Sequence, residues 1–152
     1  MGAGKKNSLP VFTGEPPRSP PTVDDARQGL GGRAQTTNEA GLAVRLSSGT
    51  LGIVVFASGD TFDVCTKDGR FHRTVKESVT HVDAALPTEL VEIAADARTF
   101  ASMQEQQRIR YQSPRREIRE GLLIEKCRYG ALVLNEDQKV LAISFRRIWP
   151  IA

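Results

Sequence analysis

GTLGIVVFASGDTFDVCTKDGRFHRTVKESVTHV, residues 49–82, is the stretch whose reading decides the fold. Ile53, Val54, Val55 and Phe56 form a β-branched and aromatic run between Gly52 and the breaker Ser58-Gly59-Asp60, which predicts a strand. Phe62 and Val64 alternate with Asp63 and Cys65, so the next strand has one apolar face. Asp68-Gly69 then stands between two alternating runs, the strongest short-range hairpin signal, with positive φ wanted at both turn positions. Phe71–Val75 returns and Val79–Val82 closes the series. Short strands with tight turns and no room for a crossover helix predict a small antiparallel barrel.

Working outward, Leu42, Val44 and Leu46 alternate with Ala43, Arg45 and Ser47 and supply the barrel's first strand, which bounds it at 42–85. Pro87-Thr88-Glu89 opens a helix, and Leu90, Ile93, Ala97, Phe100 and Ala101 recur at three- and four-residue steps, giving one amphipathic helix at about 88–110 that ends before Pro114. Helix and Arg-rich linker together occupy 86–119. A second small β unit follows at 120–152, with strands at 121–127, 131–134, 140–144 and 148–151. Setting GIVVFASGDTFDVCTKDGRFHRTVKESVTHV beside GLLIEKCRYGALVLNEDQKVLAISFRRIWPI shows a similar order of glycine, strand, turn and strand, read as an internal duplication with shorter turns in the second copy. The expected fold class is therefore mainly β with one amphipathic helix: an SH3-like or Sm-like barrel plus a second β unit.

Residues 1–41 hold five of the eight prolines and seven of the thirteen glycines, with no sustained apolar period. Such a segment buries too little surface to offset its ordering entropy and reads as an extended tail. Within it, Thr22–Gln28 can form a helical turn capped by Thr22 and stopped by Gly29. No apolar run reaches membrane-spanning length, and no apolar segment follows Lys5-Lys6 as a secretory leader requires. Two cysteines in strand-like runs fit reduced thiols, so the expected location is cytoplasmic or inside a viral or ribonucleoprotein particle.

The sequence VRLSSG, then GIVVF, DTFDV and VKESVTHV, resembles the Sm-like fold of the bacterial RNA chaperone Hfq family. Gly49, Gly52, Asp60, Phe62 and Lys76 hold the family's places, whereas Val75 replaces an aromatic residue and Glu77 replaces a histidine that lines the family's RNA pore. The resemblance implies a ring-forming, RNA-binding barrel.

The formal net charge is +3, and the segment Arg108–Glu120 alone carries that excess. Arg108, Arg110, Arg115, Arg116 and Arg119, extended by Arg146 and Arg147 and interleaved with Tyr111, Phe145 and Trp149, form the concentrated basic and aromatic set, with Tyr129 as a further base contact. Guanidinium forks grip phosphates and aromatic faces accept unpaired bases, so this set is the candidate nucleic-acid site. Cys65, His72, His81 and Cys127 lack the paired spacing of a zinc site, and Asp63 with Cys65 and His72 makes no recognisable triad. No catalytic residue, metal or cofactor is expected. The functional expectation is a non-enzymatic binding module with RNA or single-stranded nucleic acid as partner. Its rival is an architectural subunit of a virion or ribonucleoprotein, homo- or hetero-oligomeric, whose tail threads between protein partners and whose barrel edges pair with other chains.

Overall fold

Alternation and turn chemistry carry through into ten strands in a computed structural model that describes residues 22–34 and 38–151. A short helix α1 (Val23–Gly29) precedes β1 (Ala43–Arg45), β2 (Leu51–Ser58), β3 (Thr61–Thr66), β4 (Phe71–Val75) and β5 (Thr80–His81). The long helix α2 (Thr88–Ser102) leads to β6 (Arg108–Gln112), β7 (Ile118–Lys126), β8 (Gly130–Leu134), β9 (Val140–Ser144) and β10 (Ile148–Pro150). The strands form two antiparallel sheets, ordered β4-β3-β2-β1-β5 and β10-β6-β7-β8-β9. Neither closes into the expected barrel, because β4 and β5, like β9 and β10, lie at opposite edges of their sheets. One 3-10 turn (Lys76–Ser78 or Phe145–Arg147) carries the chain to the far edge in each, and the closing strand is only two or three residues long.

From β2 and β7 onward the two sheets repeat one plan at a shift of 69 positions. Gly52 and Gly121, the bulges after Val54 and Leu123, β4 and β9, and the two 3-10 turns all obey it. The turns are equal in length, not shorter in the second copy. Even the β3–β4 and β8–β9 turns match: Gly69 N–H donates to Thr66 O at 2.9 Å and Gln138 N–H to Asn135 O at 3.1 Å, with φ of 85° and 64°. Positive φ falls on Gly69 and not on Asp68, so the turn is the longer form with one left-handed residue. Gly52 and Gly121 are required by close approach: a Cβ would lie 2.4 Å from Val64 Cγ1 in one and 2.7 Å from Val133 Cγ1 in the other.

β2 is buried on both faces, which explains its unbroken apolar run. Val44, Val54, Phe62 and Val64 fill the curl of the first sheet. Ile53, Val55 and Cys65 point the other way and share one core with Leu90, Ile93, Ala97 and Phe100 of α2 and with Ile109, Tyr111, Leu123, Val133, Phe145 and Ile148 of the second sheet. The helix thus lies between the two units, its apolar stripe serving both.

α2 stops at Ser102, short of the expected end near 110, because helical spacing gives way to strand alternation at Ile109 and Tyr111. Its last turn has no basic residue. The charge comes from β7, where the buried Lys126 ammonium donates to Phe100 O (2.9 Å), Ala101 O (3.2 Å) and Met103 O (2.9 Å). Those carbonyls are the ones a helix end leaves without partners, and a cation there suits the helix dipole.

The segment 22–34, read as part of a tail, is packed, while residues 1–21 and 35–37 of that reading lie outside the described residues. α1 has the foreseen Thr22 cap, completed by Asp25 as a capping box. Ala26 and Leu30 meet Ile124, Cys127, Leu132 and Val140 on the outer face of the second sheet. Arg27 pairs with Glu125, holding that carboxyl below its ordinary range through the guanidinium hydrogen bond.

Candidate interaction site

The segment 108–119 is not a linker. It forms β6, the hairpin turn and the start of β7, so the boundary set at 119/120 cuts through a hairpin. Alternation places Ile109 and Tyr111 in the core and leaves Arg108 and Arg110 exposed. Arg110 lies opposite Glu120 on β7 and Trp149 on β10, so these three share the outer face. Arg115 and Arg116 occupy the turn, Arg116 at φ 67°, with Ser113 closing it by accepting from Arg116 N–H and donating to Glu117 O, both at 2.8 Å.

Five arginines of the candidate set divide between two depressions, and Arg115 and Arg116 line neither. The first, of about 570 Å³, gathers Arg108, Arg110 and Arg119 with Glu117, Glu120 and Glu136 around Ile118. Arg108 pairs with Glu120 at 3.2 Å and Arg119 with Glu117 at 3.1 Å. The second, of about 480 Å³, lies at the seam where the sheet fails to close. Ala142 and Ser144 of β9 form one wall, Gln112 and Pro114 of the hairpin another, and Arg146 and Arg147 stand between them. Leu30 and Ile143 add apolar surface. Arg146 is held by Asp96 of α2 at 2.7 Å. Arg110, Arg115, Arg116 and Arg147 form no ion pair among the described residues.

The seam also has an open strand edge. Asn135 N–H donates to Lys139 O and Phe145 N–H to Tyr129 O, so the odd-numbered residues of β9 face β8. The backbone groups of Val140, Ala142 and Ser144 therefore point away from it, and among the described residues β9 has no neighbouring strand on that side.

The aromatic members of the candidate set fare differently. Phe145 is in the core, 1% exposed. Tyr129 stacks on Phe71 with ring centroids 3.9 Å apart and donates to Asp63 Oδ1 at 2.9 Å. Burial, then the Asp63 bond, raises the phenol above its ordinary pKa. Trp149, like Tyr129, is partly exposed, and it has no stacking partner among the described residues.

In the sequence Asp63 stood out only as a member of a triad that does not form. Asp68 does cap a turn, accepting from Arg70 N–H at 3.2 Å. Asp63 instead lies buried on β3 and joins the two units: its carboxylate accepts from Arg73 Nε at 3.1 Å and from Arg128 Nη1 at 2.7 Å besides Tyr129. Arg128 also covers the Phe56 ring at 4.8 Å. The available signal was one Asp at an inward-facing position of an otherwise apolar strand, since a buried carboxylate demands cationic partners. Both cysteines are buried and unpaired, and burial pushes each thiol up to about 11. Among the described residues no group of His, Cys, Asp and Glu is placed to hold a metal ion, and no helix is long and apolar enough to cross a membrane.

No protein-family model matches the chain, and no curated protein matches it significantly.

Proposed function

We propose that this chain is a non-enzymatic protein-binding module of a larger assembly, which takes an extended, acidic segment of a partner chain as an added strand along β9. The observation that carries this reading is the seam: an unpaired strand edge bordered by Arg146 and Arg147, with apolar walls on either side. Strand addition draws affinity from main-chain bonds and specificity from the flanking side-chain sites. Residues 1–21 carry Lys5, Lys6 and Arg18 against Glu15, and outside them the positive excess of Arg108–Glu120 is largely offset by acidic residues elsewhere, so the rest of the chain is close to neutral. A near-neutral body gives little of the general phosphate attraction on which nucleic-acid binding rests. Lys76, one of the positions in the Sm-like resemblance, pairs with Glu39 at 2.9 Å.

The test is fluorescence anisotropy with a labelled peptide of alternating valine and glutamate, beside a labelled single-stranded RNA of equal length. Ala142→Pro removes an N–H that the ladder does not use, a change an edge strand tolerates, and it is expected to abolish peptide binding with the fold intact by circular dichroism. Arg147→Glu is expected to weaken it at least about tenfold, the effect of losing one charge-assisted contact. Peptide binding indifferent to both changes would sink the proposal.

One observation keeps the nucleic-acid reading in play: Arg110, Arg115, Arg116 and Arg147 form no ion pair among the described residues, and Arg110 lies opposite the partly exposed Trp149. RNA affinity that falls steeply with salt and collapses in Arg115→Ala/Arg116→Ala, while the peptide fails to bind, would establish it instead.

A further inference from the structure

The outer face of β6 and β7 bears a charge pattern with a specific complement. Around Ile118, which is 57% exposed, stand three arginines (Arg108, Arg110, Arg119) and three glutamates (Glu117, Glu120, Glu136). Two arginines and two glutamates satisfy each other within the chain. Arg110 and Glu136 line the same depression and form no ion pair among the described residues. A uniformly acidic partner would strand the glutamates here, and a basic one the arginines. A partner that satisfies both must present the same alternation reversed, and a second copy of this chain does so by symmetry, because a two-fold contact sets each patch against itself.

We infer that this face is the interface of a symmetric homodimer. The axis passes near Ile118, the two Ile118 side chains meet across it, and Arg110 of each protomer pairs with the partner subunit's Glu136. Trp149 and Leu122 lie on the same face by register, Trp149 opposite Arg110 and Leu122 opposite Arg108, and widen the apolar part of the contact. Interface cores favour this combination of an aromatic, arginine and an aliphatic centre. The seam beside β9 opens elsewhere on the sheet, so strand addition and dimerisation are separable.

The test is charge exchange, read by sedimentation or light scattering, with circular dichroism to verify the fold of each exposed-site variant. Wild type is expected to be dimeric at low salt and to dissociate as salt screens the pairs. Arg110→Glu and Glu136→Arg are each expected to be monomeric, since each sets like charges together at both ends of the contact. Mixed in equal amounts, the two variants are expected to restore the dimer as a heterodimer, because glutamate at 110 then meets arginine at 136 and the native pair forms at the other end. The double variant is expected to be dimeric again. A monomeric wild type, a dimer that survives the single changes, or folded single variants that do not associate on mixing would each overturn the inference.

Discussion

Replacing Asp63 with Asn keeps the shape of the junction between the two units and removes its charge. The carboxylate is 1% exposed and accepts three hydrogen bonds, two from guanidinium groups. Arg73 is half exposed, so its pair is discounted to less than about 1 kcal/mol for solvent screening. Arg128 is different: only 22% of its side chain is exposed, it lies over Phe56, and its anion is 2.7 Å away. Without that anion its charge stays partly buried and uncompensated, a loss of about 2–3 kcal/mol. Tyr129 can still donate to the amide oxygen, at a weaker bond. The expected total is about 3–4 kcal/mol, a large share of the roughly 5–15 kcal/mol by which domains are stable. Urea unfolding followed by Trp149 fluorescence and by far-ultraviolet circular dichroism measures it. A double-mutant cycle with Arg128→Met isolates the pair, with about 2 kcal/mol of coupling expected. Both probes should report one transition, because Ile53, Val55 and Cys65 share their core with the second sheet. A loss below about 1 kcal/mol, or additivity of Asp63→Asn with Arg128→Met, would show that the carboxylate does not hold the units together.

Two further outcomes follow from local chemistry. Burial raises the Cys65 and Cys127 thiols from 9.0 to about 11, so their contribution to stability is whole below pH 9 and is lost as the pH rises through 11. Lys126 acts oppositely, its ammonium pulled down to about 8 by burial, so its share of stability grows between about 8 and 10.5. Cys65→Ala/Cys127→Ala should therefore lose less stability than wild type between pH 9 and 11 in urea midpoints, by up to about 2–3 kcal/mol per thiol, and parallel curves would contradict the assignment. Gln138 holds the left-handed place that Gly69 fills in the first sheet, so Gln138→Gly should raise stability by about 0.5–1 kcal/mol, and a lower thermal midpoint would show that the side chain compensates for the backbone.

Strands were legible because their signals are local. Ile53–Phe56 between glycine breakers, the Phe62/Val64 alternation and the shared glycine at 52 and 121 made the strands and the repeated order of the two units legible without tertiary knowledge. The end of α2 was not legible, since the group that closes it, Lys126, is more than twenty positions away on another strand. Sheet opening was equally hidden, for it depends on which edge β5 and β10 reach and not on their composition. The arginine cluster was visible as composition. Whether each guanidinium was free depended on register: Arg108 finds Glu120 across the β6–β7 ladder, and Arg146 finds Asp96 on a helix fifty positions earlier.

The repeat also explains why equivalent faces of the two sheets do different work. At a shift of 69, Asp63, Phe71 and Arg73 correspond to Leu132, Val140 and Ala142. In the first sheet that face is polar and aromatic, and it receives the Arg128–Tyr129 turn of the second unit through hydrogen bonds and a ring stack. In the second sheet Leu132, Ala142 and Val140 stand where the first has the carboxylate, the cation and the ring, and Leu132 and Val140 pack against Ala26 of α1 and Leu30 just after it. A buried carboxylate without cations is costly, so Asp at 132 could not persist where only α1 covers it; a leucine at 63 would leave Arg128 and Tyr129 without their acceptor. Each face is thus matched to its cover.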